Sequence, residues 1–232
     1  MTAPADPSRL PRGCRLVVFD LDGTLYRQGP VRRAMLRDLL LAGGPPGRVA
    51  RLRVLRRFRQ LREEMAVAAP RGFDGPLFAR LAAETGRPEA ALRALVREWM
   101  DERPLPYLRR ALVAGAAELL PALRARGIVT AIWSDYPVPD KLAALGLAAD
   151  HVVSALDDDV AALKPDPAGL ALLLARTGLR PDQALMVGDR TTHDGRAAAA
   201  LSVPFLLRAR KAPPGTASVA DFRPLVRGLG AA

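Results

Sequence analysis

Residues 15–25 read Arg15-Leu16-Val17-Val18-Phe19-Asp20-Leu21-Asp22-Gly23-Thr24-Leu25. Arg15 to Leu21 is a short apolar run with β-branched residues, preceded by Pro11 and Gly13, and it reads as a buried strand. Asp22-Gly23-Thr24 then signals a turn. Side chains two apart on an extended segment point the same way, so Asp20 and Asp22 are expected to converge. Two carboxylates held together repel, and one pKa rises unless a cation intervenes. That conflict suits a metal-assisted nucleophile beside a proton donor. An Asp-Gly turn with a solvated acid on either side is the plainer reading of the same residues.

Downstream of this stretch the pattern turns helical from Val31 to Asp101. Helices are expected over Val31–Ala42, Val49–Ala68, Phe73–Glu84 and Pro88–Met100, with Gly43-Gly44-Pro45-Pro46-Gly47 separating the first two. After Tyr107 helices and strands alternate. The expected strands are Ile128–Trp133, His151–Ser154, Ala184–Val187 and Val203–Leu207. Helices are expected over Leu108–Arg126, Asp140–Leu145 and Pro167–Arg176, and from near His193. Such alternation means βαβ units and a parallel sheet covered on both faces. The first strand belongs with the later ones, so the helical block of about 80 residues is an insertion after it. Residues 211–232 carry Pro213-Pro214-Gly215 and read as a partly linker-like tail with a short helix.

Active sites of open parallel sheets lie at the carboxyl ends of the strands. Ser134-Asp135 follows the strand that ends at Trp133. A hydroxyl and free N–H groups there can cradle a phosphoryl oxygen, although Ser-Asp also caps helices. Lys164-Pro165-Asp166-Pro167 puts a lysine on a rigid segment, as a point charge for phosphate or as a surface lysine before a capped helix. Gly188-Asp189-Arg190-Thr191-Thr192-His193-Asp194 adds two acids; helix capping explains Asp194 but leaves Asp189 unexplained. As a set, Asp20, Asp22, Asp189, Asp194, Ser134 and Lys164 fall at one edge of one sheet. Four unpaired carboxylates there would be costly. A divalent hard cation together with Lys164 offsets the repulsion, and oxygen-only ligands suit Mg²⁺. The remaining gap suits a phosphoryl group.

The ordered set resembles the haloacid dehalogenase-like hydrolase superfamily, in its Mg²⁺-dependent phosphatase branch. Asp20-x-Asp22-x-Thr24, then Ser134, then Lys164, then Gly188-Asp189 and Asp194 match its pattern over about Arg15 to Leu207. The resemblance implies an α/β fold with a Rossmann-like parallel-sheet core flanked by helices and an inserted all-helical cap of type one. The core would be residues 1–26 and 107–210, the cap 27–106 and the tail 211–232. It implies that Asp20 attacks phosphorus to form an aspartyl-phosphate, and that Asp22 protonates the leaving oxygen and then activates water. Ser134, Asp135 and Lys164 would serve phosphate binding. Asp20, the main-chain carbonyl of Asp22, and Asp189 would hold Mg²⁺, with Asp194 ligating through water or orienting its neighbours. Asp135 stands where the family often has Asn, and is expected to point away or to pair with Lys141 or an arginine. Arg190 is expected to pair with a neighbouring acid. Asp22, which the dehalogenases lack, favours phosphoryl transfer over carbon–halogen cleavage. A phosphomutase is the nearest alternative.

Composition excludes other chemistries. Cys14 is the only cysteine, and His151 and His193 are the only histidines among 232 residues. A disulfide framework, a Cys- or His-based zinc site and a His-based triad are therefore not expected. Neither a membrane span nor a secretory signal is legible, and a cytoplasmic location is expected. The net charge is +11, with only three lysines: Lys141, Lys164 and Lys211. Arg27 to Pro106 holds 17 arginines and 9 acids, so most of the excess sits in the insertion. Arg48 to Arg62 alone carries seven arginines and no acid. Arg53, Arg56 and Arg57 fall opposite the Leu52/Leu55/Phe58/Leu61 arc and read as a solvated face. Arg51 and Arg62 fall within that arc; they read equally as solvated or as reaching the cleft on packed stems, and Arg51 or Arg62 is expected to help bind a second anionic group of the substrate. The expected partner is a small phosphorylated metabolite. A non-catalytic protein whose basic cap binds nucleic acid or an acidic protein is the alternative of a different class, and the intact acid set argues against it. Nothing in the sequence separates a monomer from a homodimer.

Overall fold

The computed structural model describes residues 6–42, 44–68 and 71–230. Gly43, in the expected break, and the extreme ends of the chain lie outside the described residues. Six strands form one parallel sheet: β1 (Leu16–Phe19), β2 (Val129–Ser134), β3 (His151–Ser154), β4 (Ala184–Gly188), β5 (Phe205–Arg208) and β6 (Ser218–Val219). Their order is β3-β2-β1-β4-β5-β6, with β1 between β2 and β4. The alternation of β1 shows why it is central. Val17 and Phe19 enter one apolar cluster, and Leu16 and Val18 enter another on the opposite face. A strand buried on both faces needs a continuous apolar run, which is what residues 16–19 supply.

Helices α1 (Gln28–Leu41), α2 (Pro45–Ala68), α3 (Asp74–Thr85) and α4 (Glu89–Val96) follow β1, and a wide helical turn, Arg97–Glu102, ends this block. Val54, Phe58, Leu61, Phe73, Leu77, Phe78 and Leu92 give it an apolar centre of its own, which Ala155 and Leu163 from the sheet side join. The helix expected over 108–126 is two helices, α5 (Leu105–Ala111) and α6 (Ala116–Ala125). Gly115 breaks it with φ +83°, and a Cβ there would meet the Arg223 nitrogen at 2.6 Å. Only glycine fits that backbone approach. α7 (Pro139–Leu145), α8 (Ala168–Thr177) and α9 (Arg196–Ala200) complete the alternating part.

The tail is more structured than its prolines suggest. β6 extends the sheet beside β5, and α10 (Arg223–Gly230) returns to pack on α6. Phe222 is fully buried edge-on against Phe19, with ring centroids 5.9 Å apart. Burial of Phe222, Leu225 and Leu229 anchors the segment. No described helix is long and apolar enough to cross a membrane.

The register aligns the strand ends. Phe19 is level with Ile132 on one side and Val187 on the other, and the Asp20 N–H donates to the Val187 carbonyl at 2.8 Å. Residues just past Phe19, Trp133 and Val187 therefore meet at one sheet edge.

Candidate active site

Asp20 leaves the end of β1 and is 8% exposed. Lys164 Nζ donates to its Oδ1 at 2.7 Å, and Thr24 Oγ1 donates to its Oδ2 at 2.8 Å. The same ammonium donates to Asp194 Oδ1 at 2.8 Å and to the Trp133 carbonyl at 2.8 Å. All three N–H groups of Lys164 are thus engaged. A direct bond to a phosphate, as expected of Lys164, would have to replace one of them. Burial pushes Asp20 well above the ordinary carboxylate range; Lys164 opposes this, while Asp194 and Asp189 add to it. Burial would depress Lys164, but Asp194, Asp20 and Asp135 outweigh it and keep the ammonium charged.

Asp189 and Asp194 come from the turn after β4. Carboxylate oxygens of Asp20, Asp189 and Asp194 all lie within 4.8 Å of one another. Asp194 Oδ2 accepts the Arg190 N–H at 3.1 Å, whereas Asp189 accepts no hydrogen bond from any described residue. Burial and the charge of Asp194 push Asp189 up to about 6. A partly buried acid with no donor, close to two others, fits a hard cation such as Mg²⁺. Gly23 allows this arrangement: its φ is +110°, and a Cβ there would lie 2.1 Å from Asp189 Oδ2.

Asp22 departs from expectation. Its carboxylate does not join Asp20 in the acidic cluster but turns to Lys141, whose Nζ lies 2.8 Å from Oδ1 and 3.0 Å from Oδ2. Tyr26 Oη also donates to Oδ1, and Ser134 Oγ to Oδ2 at 3.1 Å. Burial alone would raise Asp22, but Lys141, Tyr26 and Ser134 hold it below its ordinary value. The two acids of the first motif therefore do not compete for one proton; each has its own lysine. The Asp22 carbonyl, expected to face a cation, accepts a short bond from Gln28 Nε2. Tyr26 and Gln28 carry no motif signal in the sequence, and Lys141, expected at most beside Asp135, pairs with Asp22 instead. The one available signal was the scarcity of lysine: two of the three in the chain end on its motif acids.

Burial raises Asp135 above its usual value, and the charges of Lys164 and Arg62 oppose that rise. Its Oδ1 accepts the Lys164 backbone N–H at 3.0 Å, so it pins the lysine segment instead of pairing with Lys141. Ser134 is fully buried; its Oγ also accepts the Tyr136 N–H at 3.1 Å. Arg190 pairs with an acid as expected, but a distant one: two bonds of 3.0 and 2.9 Å join it to Glu63 on α2. His193 Nε2 lies 3.2 Å from the same carboxylate.

The arginines expected in the cleft are elsewhere. Arg51 donates to the Ala42 carbonyl at 3.2 Å and stacks on Trp99 at 4.8 Å. Arg62 is 7% exposed, donates to the Asp135 carbonyl and sits 4.2 Å from the Tyr136 ring centre. Both guanidiniums are used in holding elements together. A cleft of about 680 Å³ opens beside Asp22, Tyr26, Tyr136 and Lys141, and Arg32, Arg56, Arg59 and Arg190 line it instead. Val54, Phe58 and Leu61 turn toward α3, which rotates Leu52, Leu55, Arg56 and Arg59 into the cleft. Arg57 does lie on the outer face, bonded to Glu64 and Glu84.

Residues 14–201 match the family model of the haloacid dehalogenase-like hydrolases. The chain belongs to that family. Among its relatives, the phosphoglycolate phosphatase of Rhodospirillum rubrum is 34% identical over 197 residues, covering 83% of this chain and 78% of the relative. The phosphoserine phosphatase of Thermus thermophilus is 31% identical over 215 residues, covering 79% and 84%. The fold matches the family hydrolase YfnB of Bacillus subtilis, solved bound to magnesium, with TM-score 0.65, 18% identity and coverage of 94% and 99%. The parallel sheet with helices inserted after its central strand is the architecture of this haloacid dehalogenase-like chain.

Proposed function

We propose that this chain is a phosphatase that hydrolyses a small phosphate monoester through an aspartyl-phosphate on Asp20, acting in the cytoplasm. The separation of the first-motif acids carries the reading: Asp20 sits with Lys164 in the acidic cluster, and Asp22 sits on Lys141 at the cleft. Phosphoglycolate and phosphoserine, named for the relatives, are both phosphate esters with a second acidic group. Residues 27–106 would act as the cap, with residues 6–26 and 107–210 as the described part of the core.

Asp20 attacks phosphorus, and the bond from phosphorus to the leaving oxygen breaks. The leaving oxygen takes a proton held on the Lys141–Asp22 pair. Water then gives a proton back to that pair as its oxygen attacks phosphorus, releasing phosphate and restoring Asp20. Ser134 and the backbone beside it would bind phosphoryl oxygens once Ser134 gives up Asp22. Asp20, Asp189 and Asp194 would hold Mg²⁺, which supplies positive charge against the phosphoryl oxygens. Phosphomonoester hydrolysis needs accelerations of up to ~10²¹, so a nucleophile, two lysines and a cation are not excessive.

The test is a phosphate-release screen over phosphorylated metabolites with Mg²⁺ and no bisphosphate, comparing the wild type with Asp20→Asn. Release by the wild type and none by the variant is expected. Activity that survives Asp20→Asn would sink the mechanism, and transfer that requires a bisphosphate would make the chain a mutase.

A further inference from the structure

The cleft beside Asp22 is larger than a small hydroxy acid requires. Sites for drug-sized ligands run to ~300–1,000 Å³, and this one is about 680 Å³. Its walls are of two kinds. Leu39 of α1 and Leu55 of α2 are buried together with Trp99 along it, while Leu36 of α1 and Leu52 of α2, which also line it, remain 51% and 49% exposed. Large apolar side chains left half open in a concavity are suited to an apolar occupant. Arg56 and Arg59 stand beside them, one helical turn apart on the same face of α2. Neither has a carboxylate partner among the described residues; Arg59 meets only the Met100 sulfur, at 3.5 Å. On the outer faces, by contrast, Arg57, Arg80, Arg93 and Arg103 each hold an acid. Two unneutralised guanidiniums side by side repel, and an anion between them removes that cost.

We propose that the substrate is an amphipathic phosphate monoester whose leaving alcohol has an apolar body, seated between α1 and α2, and a second anionic group held by Arg56 and Arg59. This rests on the phosphatase reading and extends it. The phosphoryl end lies at Asp20, the leaving oxygen faces Asp22 and Lys141, and the rest of the alcohol occupies the cleft.

Three probes separate the parts: phosphoglycolate, decyl phosphate and phosphooxydecanoate, the decyl ester with a terminal carboxylate. With Mg²⁺, kcat/KM is expected to rise from phosphoglycolate to decyl phosphate and again to phosphooxydecanoate, by about tenfold or more overall. In Arg56→Ala and Arg59→Ala, the preference for phosphooxydecanoate over decyl phosphate is expected to fall about tenfold, through KM. In Leu52→Ser, the preference for decyl phosphate over phosphoglycolate is expected to fall. Calorimetric titration of the same esters into the Asp20→Asn protein reads the cleft without turnover, so a failed phosphatase reading and a failed cleft reading give different results. If phosphoglycolate is the best substrate and the tightest ligand, or if the arginine variants keep the preference, the proposal is overturned. Concentration-dependent dimerisation abolished by Leu52→Ser would assign the apolar wall to a second copy of the chain and overturn it as well.

Discussion

Lys141 Nζ lies 2.8 Å from Oδ1 and 3.0 Å from Oδ2 of Asp22, with the lysine only 3% exposed. The lysine comes from α7 and the acid from the turn after β1, so the contact joins elements far apart in sequence. It holds Asp22 as a carboxylate, and in the proposed mechanism it would place an ammonium proton beside the leaving oxygen. Lys141→Met should lower kcat by roughly 10²–10⁴-fold with a smaller change in KM, as expected when proton transfer is lost. It also leaves the partly buried Asp22 with Tyr26 and Ser134 as its remaining donors and no charge partner, which costs less than the ~3–5 kcal/mol of a fully buried broken pair. The double variant Lys141→Met/Asp22→Asn should recover thermal stability while staying inactive. Recovered activity in the double variant would contradict a role in proton transfer.

Gly23 is expected to tolerate no side chain. Its φ of +110° disfavours any L residue, and the added Cβ would collide with Asp189. Gly23→Ala should therefore displace Asp189 and raise the Mg²⁺ concentration needed for half-maximal activity. Mg²⁺ titrations of the two proteins check this.

Mg²⁺ should stabilise the fold as well as support turnover. A cation among Asp20, Asp189 and Asp194 relieves their repulsion, and ligand at a hundredfold excess over Kd adds about 2.7 kcal/mol. Thermal melts with Mg²⁺ and with chelator should differ accordingly in the wild type. Asp189→Asn should lose most of that difference, a readout independent of catalysis.

Asp101 should make stability fall with pH. Burial raises it from 3.8 to about 6, with Lys141 opposing and Asp22 adding to the rise, and its Oδ1 is buried without a partner. The folded state therefore binds a proton more tightly than the unfolded chain. The contribution of Asp101 to stability is greatest below about pH 4, declines between about pH 4 and 6, and is lost above. The full shift corresponds to roughly 3 kcal/mol, reduced to about 1–2 kcal/mol by solvent access to the group. Asp101→Asn should flatten this decline and raise Tm at pH 8 by about 2–8 °C. Equal effects at pH 4 and pH 8 would exclude the titration as the cause.

The Arg190–Glu63 pair ties α2 to the turn after β4, yet its side chains are 44% and 56% exposed. Such pairs contribute ~0.2–1 kcal/mol. Glu63→Gln should lower Tm only slightly, and the effect should shrink in high salt. A large loss of stability would mean that the contact carries more than an exposed ion pair does.

The strand ends were the most legible part of the chain. Each expected strand from β1 to β5 is present, because a doubly covered parallel sheet demands short continuous apolar runs, and such runs are visible without a structure. The same holds for Asp20, Asp189, Asp194 and Lys164, which follow those runs and are brought together by the parallel register. β6 was hidden because a strand of two residues beside Pro213-Pro214 has no periodicity to read. Gly115 looks like one residue of a helical pattern, because the reason for it is the nearby backbone of Phe222 and Arg223.

What the sequence determined by itself was chemistry tied to local order: which acids end which strands, and that one lysine stands before Pro165. What only the tertiary structure decided was pairing. Asp20 and Asp22 share a motif, yet they answer to different lysines, because the chain turns between them and α7 delivers Lys141 to one side only. Likewise, periodicity shows that α2 has an apolar face but not which neighbour covers it. Packing against α3 turned Arg56 and Arg59 into the cleft and spent Arg51 and Arg62 on carbonyls and rings. A helical pattern specifies angles around one axis; where those angles point depends on every other element packed against that axis.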